Sequence, residues 1–241
     1  ANCDRFGFVK EATVQNNDHK PAAINILDGI QNILPSGTDR KFQLEYSTLV
    51  DGYKKNELHP DTGLGLYMMS SIPTDKAEPS ESLQANIAWS AGLEDVKILL
   101  SSLQLDLFRR TTLVSQETDI KAKRGAYFLQ SAFVLEANNT KEWCIVADVN
   151  KDHKSVAQLS NTLTNQDSIL TEIKNSIFHG TEHLKMMVAQ ADGNQMTSDQ
   201  LNIFRHYSNT LFNILRGGIF VSNYSIDKND FLSFVQIANK N

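Results

Sequence analysis

The sequence predicts a mixed, mainly β chain, in which an antiparallel β-sandwich over residues 1–150 precedes a helical linker segment over residues 151–241. In the first part, apolar and polar residues alternate, which is the pattern of a strand with one buried face. In the second part, apolar residues recur every three to four positions, as on one face of a helix. Strands with one polar face are typical of antiparallel sheets, so we expect a sandwich rather than a parallel α/β sheet.

Two candidate strands show the alternation most clearly, LGLYMMSS at 64–71 and SLQANIAWS at 82–90. Trp89 falls on the apolar face of the second strand, so we expect it in the core. Tyr67 falls on the opposite face of the first strand, where it could be exposed and contact a ligand.

Turn-forming residues predict two hairpins. Between KKNEL and GLGLYMM, the link HPDTG contains Pro60, Asp61 and Gly63, which favour a turn for separate backbone reasons. Between GAYFLQSAFVLEA and EWCIVADV, Asn138 and Asn139 tolerate the left-handed conformations of a tight connection. A helix is expected within SLQLDLFRR, between the two hairpins.

Helical spacing predicts three helices in the second part. The first continues to about Ala191 and carries an apolar stripe formed by Leu159, Leu163, Ile169 or Leu170, Ile173 and Ile177. The second is capped by Ser198 and Asp199 and closes at Gly217 and Gly218. The third lies in DKNDFLSFVQIANK and presents an apolar face that needs a partner, so we expect the chain to be a piece of a longer protein.

Charge and cysteine usage limit the class of function. A formal net charge of -5 and a pI of about 5.7 argue against nucleic acid or an anionic membrane as partner, because either would favour a dense Lys/Arg face. No apolar run approaches the roughly 20 residues that span a bilayer. Cys3 and Cys144 lack C-x-x-C spacing, so we expect two ordinary thiols in the cytoplasm.

The stretch FHGTEHLK contains an H-x-x-E-H pattern, in which His179 and His183 would share a helix face with the general base Glu182. A catalytic zinc needs a third protein ligand, and in that class of protease it is a later glutamate, but no Glu follows Glu182. Gly180 also weakens the helix by about 1 kcal/mol relative to Ala. We therefore expect no metal here, and a zinc hydrolase remains only an alternative.

Acidic residues in loops are the other chemical candidates, because glycoside chemistry uses pairs of carboxylates. The loop DKAEPSES offers Asp75, Glu78 and Glu81, and with Tyr67 these are the candidate substrate-binding residues. LEYSTLVDGY offers a second set, but spacing alone places no two acids at the separation that catalysis needs. The GLG and RGG stretches are expected to close a turn and end a helix.

Four segments together resemble the N-terminal part of large proteins in the cellobiose-phosphorylase family, and most closely the long β-1,2-oligoglucan phosphorylases and their relatives. They are AINILDGIQNILPSG, LEYSTLVDGYKKNELHPDTGLGLYMMSSIPTDKAEPSESLQANIAWSAGL, KAKRGAYFLQSAFVLEANNTKEWCIVADVN and HYSNTLFNILRGGIFVSNYSIDKNDFL. The resemblance spans nearly the whole chain but includes no catalytic signature.

The resemblance implies a β-sandwich, then a helical linker, then an (α/α)6 barrel that this sequence does not contain. Such enzymes cleave a β-glucosidic bond with inorganic phosphate as co-substrate and with inversion, using an aspartic acid of the barrel. The chain would then be a non-catalytic module with no catalytic residue and no cofactor, which would support the barrel and could lend the loop DKAEPSES to the carbohydrate cleft. Its partners would be a β-glucan or oligosaccharide and the barrel of the same polypeptide. Two alternatives stay open: that the chain forms a homo-oligomer, and that it is an independent carbohydrate-binding or carbohydrate-processing β-sandwich protein.

Overall fold

A computed structural model describes residues 2–3, 5–71, 82–164, 168–218 and 225–238. The fold is mixed, with 34% of the chain in antiparallel strands and 37% in helices. The chain divides into two compact units, Ala1–Ile177 and Phe178–Asn241. No helix in the described ranges combines the length and the apolar character that crossing a bilayer requires.

The first unit contains two antiparallel sheets. The larger has seven strands in the order β1 (Asn2–Cys3), β2 (Gly7–Gln15), β10 (Thr140–Asp152), β6 (Gln84–Ala91), β5 (Leu64–Met69), β4 (Lys54–His59) and β8 (Asp119–Lys121). The smaller has three strands in the order β3 (Ala22–Ile33), β9 (Gly125–Leu135) and β7 (Lys97–Leu99). The remaining elements are helices α1 (Arg40–Glu45), α2 (Ser47–Tyr53), α3 (Leu105–Thr111), α4 (His153–Thr164), α5 (Ile169–Gln190), α6 (Gln200–Leu215) and α7 (Lys228–Ala238).

The first predicted hairpin is confirmed. Strands β4 and β5 pair from Lys54 opposite Met69 to His59 opposite Leu64. The turn between them closes through the N–H of Gly63, which donates to the carbonyl of His59 at 2.9 Å. Gly63 has a φ of +67°, a conformation that glycine adopts without steric cost.

The second predicted hairpin is wrong. Strands β9 and β10 are consecutive but do not pair, because β9 lies between β3 and β7 whereas β10 lies between β2 and β6. Asn138 does adopt a left-handed φ of +56°, as the turn chemistry requires. The connection therefore passes from one sheet to the other, and a tight asparagine turn is compatible with either outcome.

The seven-stranded sheet is buried on both faces. On one face, Tyr67, Ala88 and Ile145 share a hydrophobic cluster with Tyr127 and Leu129 of the three-stranded sheet. On the other face, a second cluster joins the sheet to the following helices through Trp89, Val146, Leu163, Ile169 and Ile173. The core position predicted for Trp89 is confirmed, since the residue is 1% exposed.

The predicted helix within SLQLDLFRR is confirmed as α3, which covers the outer side of the three-stranded sheet. Leu105 and Phe108 of this helix pack against Leu99 and Phe128. Its last turn carries Arg109 and Arg110, whose positive charge suits the carbonyl end of a helix.

The predicted long first helix is instead two helices, α4 and α5, and Leu159 and Leu163 lie on the first of them. The second predicted helix is confirmed as α6: Asp199 caps it by accepting hydrogen bonds from the N–H groups of Leu201 and Asn202, at 3.0 and 3.2 Å. The third is confirmed as α7.

The change from strands to helices occurs where the sequence places it, since β10 ends at Asp152 and α4 begins at His153. The compact units divide later, after Ile177. The reason is that α4 and the first residues of α5 supply Leu163, Ile169 and Ile173 to the core of the first unit.

Candidate functional site

Of the four predicted carbohydrate-binding residues, Tyr67 is the one that lies within the described part of the chain. Asp75, Glu78 and Glu81 lie outside the described residues. Tyr67 is 0% exposed, and its hydroxyl donates to the carbonyl of Ala126 at 2.7 Å. The predicted exposure of Tyr67 is wrong, because both faces of the seven-stranded sheet are covered. Burial raises the pKa of the Tyr67 hydroxyl well above its ordinary value.

The H-x-x-E-H residues lie on α5. Glu182 pairs with Lys185 at 2.6 Å, and the ring of His179 meets the edge of Phe178 with centroids 5.7 Å apart. Within the described ranges, no group of three or more His, Cys, Asp or Glu side chains is arranged to hold a metal ion. The geometry therefore offers nothing in support of the zinc hydrolase alternative.

Asp51, one of the two acids of LEYSTLVDGY, has a structural role in the fold. Asp51 accepts a hydrogen bond from the ammonium of Lys54 at 2.7 Å, and the Lys54 side chain is fully buried. Gln43 also accepts from this ammonium. Because removing Asp51 would leave a buried positive charge without its counter-ion, its carboxylate is committed to the fold.

A cavity of about 230 Å³ lies between the seven-stranded sheet and α4, and we call it the bulge cavity. Its apolar lining consists of Phe6, Ile87, Trp89 and Leu159, and its polar lining of Arg5, Asp148, Lys151, Ser155, Gln158 and Thr162. Helix α4 contributes four of these residues, at positions 155, 158, 159 and 162. They are three or four positions apart, so they lie on one face of the helix.

An irregularity in β10 brings two of the charged residues of the cavity, Asp148 and Lys151, together. Asp148 pairs with Ile87 of β6, and Lys151 pairs with Ala85 of the same strand. Two residues of β10 therefore lie opposite a single residue of β6, which is a β-bulge. Three residues apart on a regular strand, Asp148 and Lys151 would face opposite sides of the sheet. The bulge instead places both on the face that α4 covers, where they form an ion pair of 2.5 Å.

The bulge is held by specific hydrogen bonds. Asn150 occupies it with a φ of +54°, and its N–H donates to the side-chain oxygen of Asn86 at 3.0 Å. The Asn150 side chain accepts from the hydroxyl of Ser36 at 2.9 Å. Hydrogen bonds to Asn86 and Ser36 thus hold Asn150 in a left-handed backbone conformation. Non-glycine residues held in such conformations cluster at binding sites.

The charges around the bulge cavity are paired. Asp148 also accepts from the N–H of Val149 at 2.8 Å, in addition to its ion pair with Lys151. Arg5 donates to Glu172 at 2.7 Å and lies 5.0 Å from the ring centroid of Phe6. The cavity thus combines apolar walls with charges that are already compensated.

Exposed apolar side chains mark α6 and α7. We call the following residues the exposed helix stripe, because they lie at helical spacing and are between 37% and 74% exposed: Leu201, Phe204 and Leu215 on α6, and Phe231, Phe234 and Val235 on α7. The buried side of α6 is instead formed around Thr210, which is 4% exposed. Large exposed apolar groups at regular spacing are typical of interaction surfaces.

No model of a known protein family matches this sequence, and no curated protein matches it.

Sequence reasoning missed the bulge cavity. Its lining comes from four separate segments, and the face on which a strand residue lies depends on a register that cannot be read locally. The one available signal was Asn150, a residue type that favours left-handed backbone, between a strand pattern and a helix pattern.

Proposed function

We propose that the chain is a non-catalytic module of a glycoside phosphorylase that acts on β-glucans, and that it supports an (α/α)6 catalytic barrel. The observation that carries the proposal is the exposed helix stripe. Burying a phenylalanine or leucine side chain contributes roughly 1.5–3 kcal/mol, so six exposed apolar residues offer a substantial gain to a partner that covers them.

The order of elements supports the same proposal. Antiparallel sheets come first and helices follow, which is the order that the resemblance to the cellobiose-phosphorylase family implies. We interpret the two sheets as a β-sandwich, because side chains of both sheets contribute to one hydrophobic cluster. In this proposal the barrel supplies the catalytic aspartic acid, inorganic phosphate is the co-substrate, and the enzyme is cytoplasmic.

Association with a barrel tests the proposal directly. The chain is mixed with the barrel of a β-1,2-oligoglucan phosphorylase produced without its N-terminal region, and complex formation is measured by sedimentation velocity. We expect a complex that Phe234→Ser weakens at least tenfold, because a buried phenylalanine is worth about 1.4 kcal/mol or more.

Phe178→Ser is the matched control, because Phe178 is also a helical phenylalanine, is 61% exposed against 68% for Phe234, and lies outside the exposed helix stripe. Equal weakening by both variants would argue against the stripe as the docking surface. No complex at any concentration would contradict the supporting role.

An independent carbohydrate-binding protein is the second candidate, and the bulge cavity favours it. Aromatic and polar groups around a small concave site are typical of ligand pockets. This candidate predicts saturable binding of β-glucan oligosaccharides by the chain together with no association with the barrel.

A further inference from the structure

We propose that the bulge cavity binds a single neutral pyranose ring. This ligand goes beyond the supporting role, which requires no small molecule, and the inference does not depend on the barrel. Three properties of the cavity carry it: its size, its charge balance, and an aromatic wall that lies beside an available side-chain amide.

The size of the cavity suits one ring. Its volume of about 230 Å³ corresponds to roughly eight waters at liquid density. Pockets for drug-sized ligands begin at about 300 Å³, so a disaccharide would have to extend into solvent.

The charge balance favours a neutral ligand. Lys151 is paired with Asp148, and Arg5 is paired with Glu172, so no charged group in the lining lacks a counter-ion. A phosphate beside Lys151 would also lie beside the Asp148 carboxylate, and a metal ion beside Asp148 would lie beside the Lys151 ammonium, so the pair offers no net charge to either ion. Hydroxyl groups can instead add to both ends of an existing ion pair, donating to the carboxylate and accepting from the ammonium.

One polar side chain of the lining is available to a ligand. Gln158 is exposed on α4, and its side-chain amide makes no hydrogen bond to another described residue. The ring of Trp89 forms part of the apolar wall of the cavity. A sugar provides both acceptors and donors, and its C–H face can pack against the aromatic wall.

The cavity is formed before the ligand arrives. The bulge is fixed by Asn86 and Ser36, and the facing side of α4 is fixed by Leu163, which is 1% exposed. Binding a rigid ring in a site whose side chains are already ordered costs little additional conformational entropy.

Nuclear magnetic resonance of the two tryptophan indoles tests the proposal on the intact chain. Glucose, xylose, myo-inositol and inorganic phosphate are titrated separately. We expect glucose to shift the indole signal of Trp89 in a saturable manner and to leave that of Trp143 unchanged, because Trp143 donates to Asp28 at 2.9 Å in the other cluster.

Variants on α4 locate the site. Gln158→Ala should raise the dissociation constant for glucose about fivefold, since it removes the unpaired amide. Asn161→Ala is the matched control, because Asn161 is exposed on the same helix but does not line the cavity, and it should have no effect. Ser155→Leu should fill the cavity and abolish binding, with folding checked by the thermal melting curve.

Three results would overturn the proposal: no saturable shift of Trp89 with any sugar, an equal loss of affinity in Gln158→Ala and Asn161→Ala, or saturation by phosphate alone. All measurements use the chain without a barrel. If no sugar binds, the proposed supporting role is not affected. If the chain does not associate with a barrel, the proposed sugar site is not affected.

Discussion

Glu117 shows how single polar residues stabilise the first unit. Its carboxylate is 7% exposed and accepts hydrogen bonds from the N–H of Leu100 at 2.7 Å, the hydroxyl of Ser101 at 3.1 Å and the amide of Gln104 at 2.9 Å. Three donors compensate the cost of burying the charge. These partners are 13 to 17 residues away in sequence, so no local pattern predicts the burial.

We expect Glu117→Ala to lower the free energy of unfolding by about 3 kcal/mol, because it leaves buried donors without an acceptor. Urea denaturation measures the change. Glu94→Ala is the control, since Glu94 is 90% exposed and lies 3.8 Å from Lys141, and its loss should cost less than about 0.5 kcal/mol. Equal costs for the two variants would contradict the role of Glu117.

Cys144 provides a pH-dependent prediction. Burial raises the pKa of its thiol to about 11, so the native protein resists ionisation of a group that ionises near 9.0 when the chain is unfolded. The contribution to stability is complete below about pH 9 and is lost as the pH rises through about 11.

We therefore expect the stability of the wild-type chain to fall more steeply between pH 9 and 11 than that of Cys144→Ala. The difference between the two free energies of unfolding should change by about 2 kcal/mol over this range, as measured by urea denaturation. Parallel curves for the two proteins would show that the thiol does not contribute to the pH dependence.

At the scale of elements, the first residue of β2 lies against β10 beside the bulge. Gly7 has a φ of +79°, and a Cβ atom there would lie 2.9 Å from both the carbonyl oxygen of Ala147 and the Cγ of Asp148. Gly37 has a similar φ of +77°, but a Cβ there would have no neighbour within 4 Å. Substituting Gly37 tests the cost of the left-handed backbone alone, whereas substituting Gly7 adds the cost of a steric contact.

We expect Gly37→Ala to destabilise the chain by about 1 kcal/mol, through the left-handed backbone alone. Gly7→Ala should cost at least about 2 kcal/mol more, because β10 must move to accommodate the added carbon. Thermal unfolding of the two variants checks the order. A similar loss in both would show that the contact with Asp148 is relaxed without cost.

The elements that the sequence predicted well depend on local signals. The hairpin around Gly63 and the helix capped by Asp199 follow from turn and capping residues within a few positions. The pairing of β9 with β3 was not predicted, because it joins residues about 100 positions apart. Tyr67 was misplaced because the alternation of its strand does not reveal that both faces of the sheet are covered.

At the scale of the whole molecule, the hydrophobic core clusters lie in the first unit, and exposed apolar side chains mark the last two helices. The clusters of the first unit bury Trp89 and Leu163, whereas Phe231 and Phe234 on α7 remain 53% and 68% exposed. The exposed side chains contribute little to the stability of the isolated chain, since little of their surface is removed from water.

We expect Phe231→Ser and Phe234→Ser to change the melting temperature by less than about 2 °C, corresponding to well under 1 kcal/mol. Leu163→Ala should destabilise the chain by about 2–5 kcal/mol, as is usual for a fully buried leucine. A large loss of stability in the phenylalanine variants would show that α7 packs within the isolated chain, which removes the argument for a docking partner.

The most direct test of the proposed function is the release of sugar phosphate. The chain is incubated with β-1,2-linked glucan oligosaccharides and inorganic phosphate, alone and with the catalytic barrel of a β-1,2-oligoglucan phosphorylase produced without its N-terminal region. We predict no glucose 1-phosphate from the chain alone and an increase over the rate of the barrel when the chain is added. Release of glucose 1-phosphate by the chain alone, or an unchanged rate after its addition, would contradict a non-catalytic supporting module.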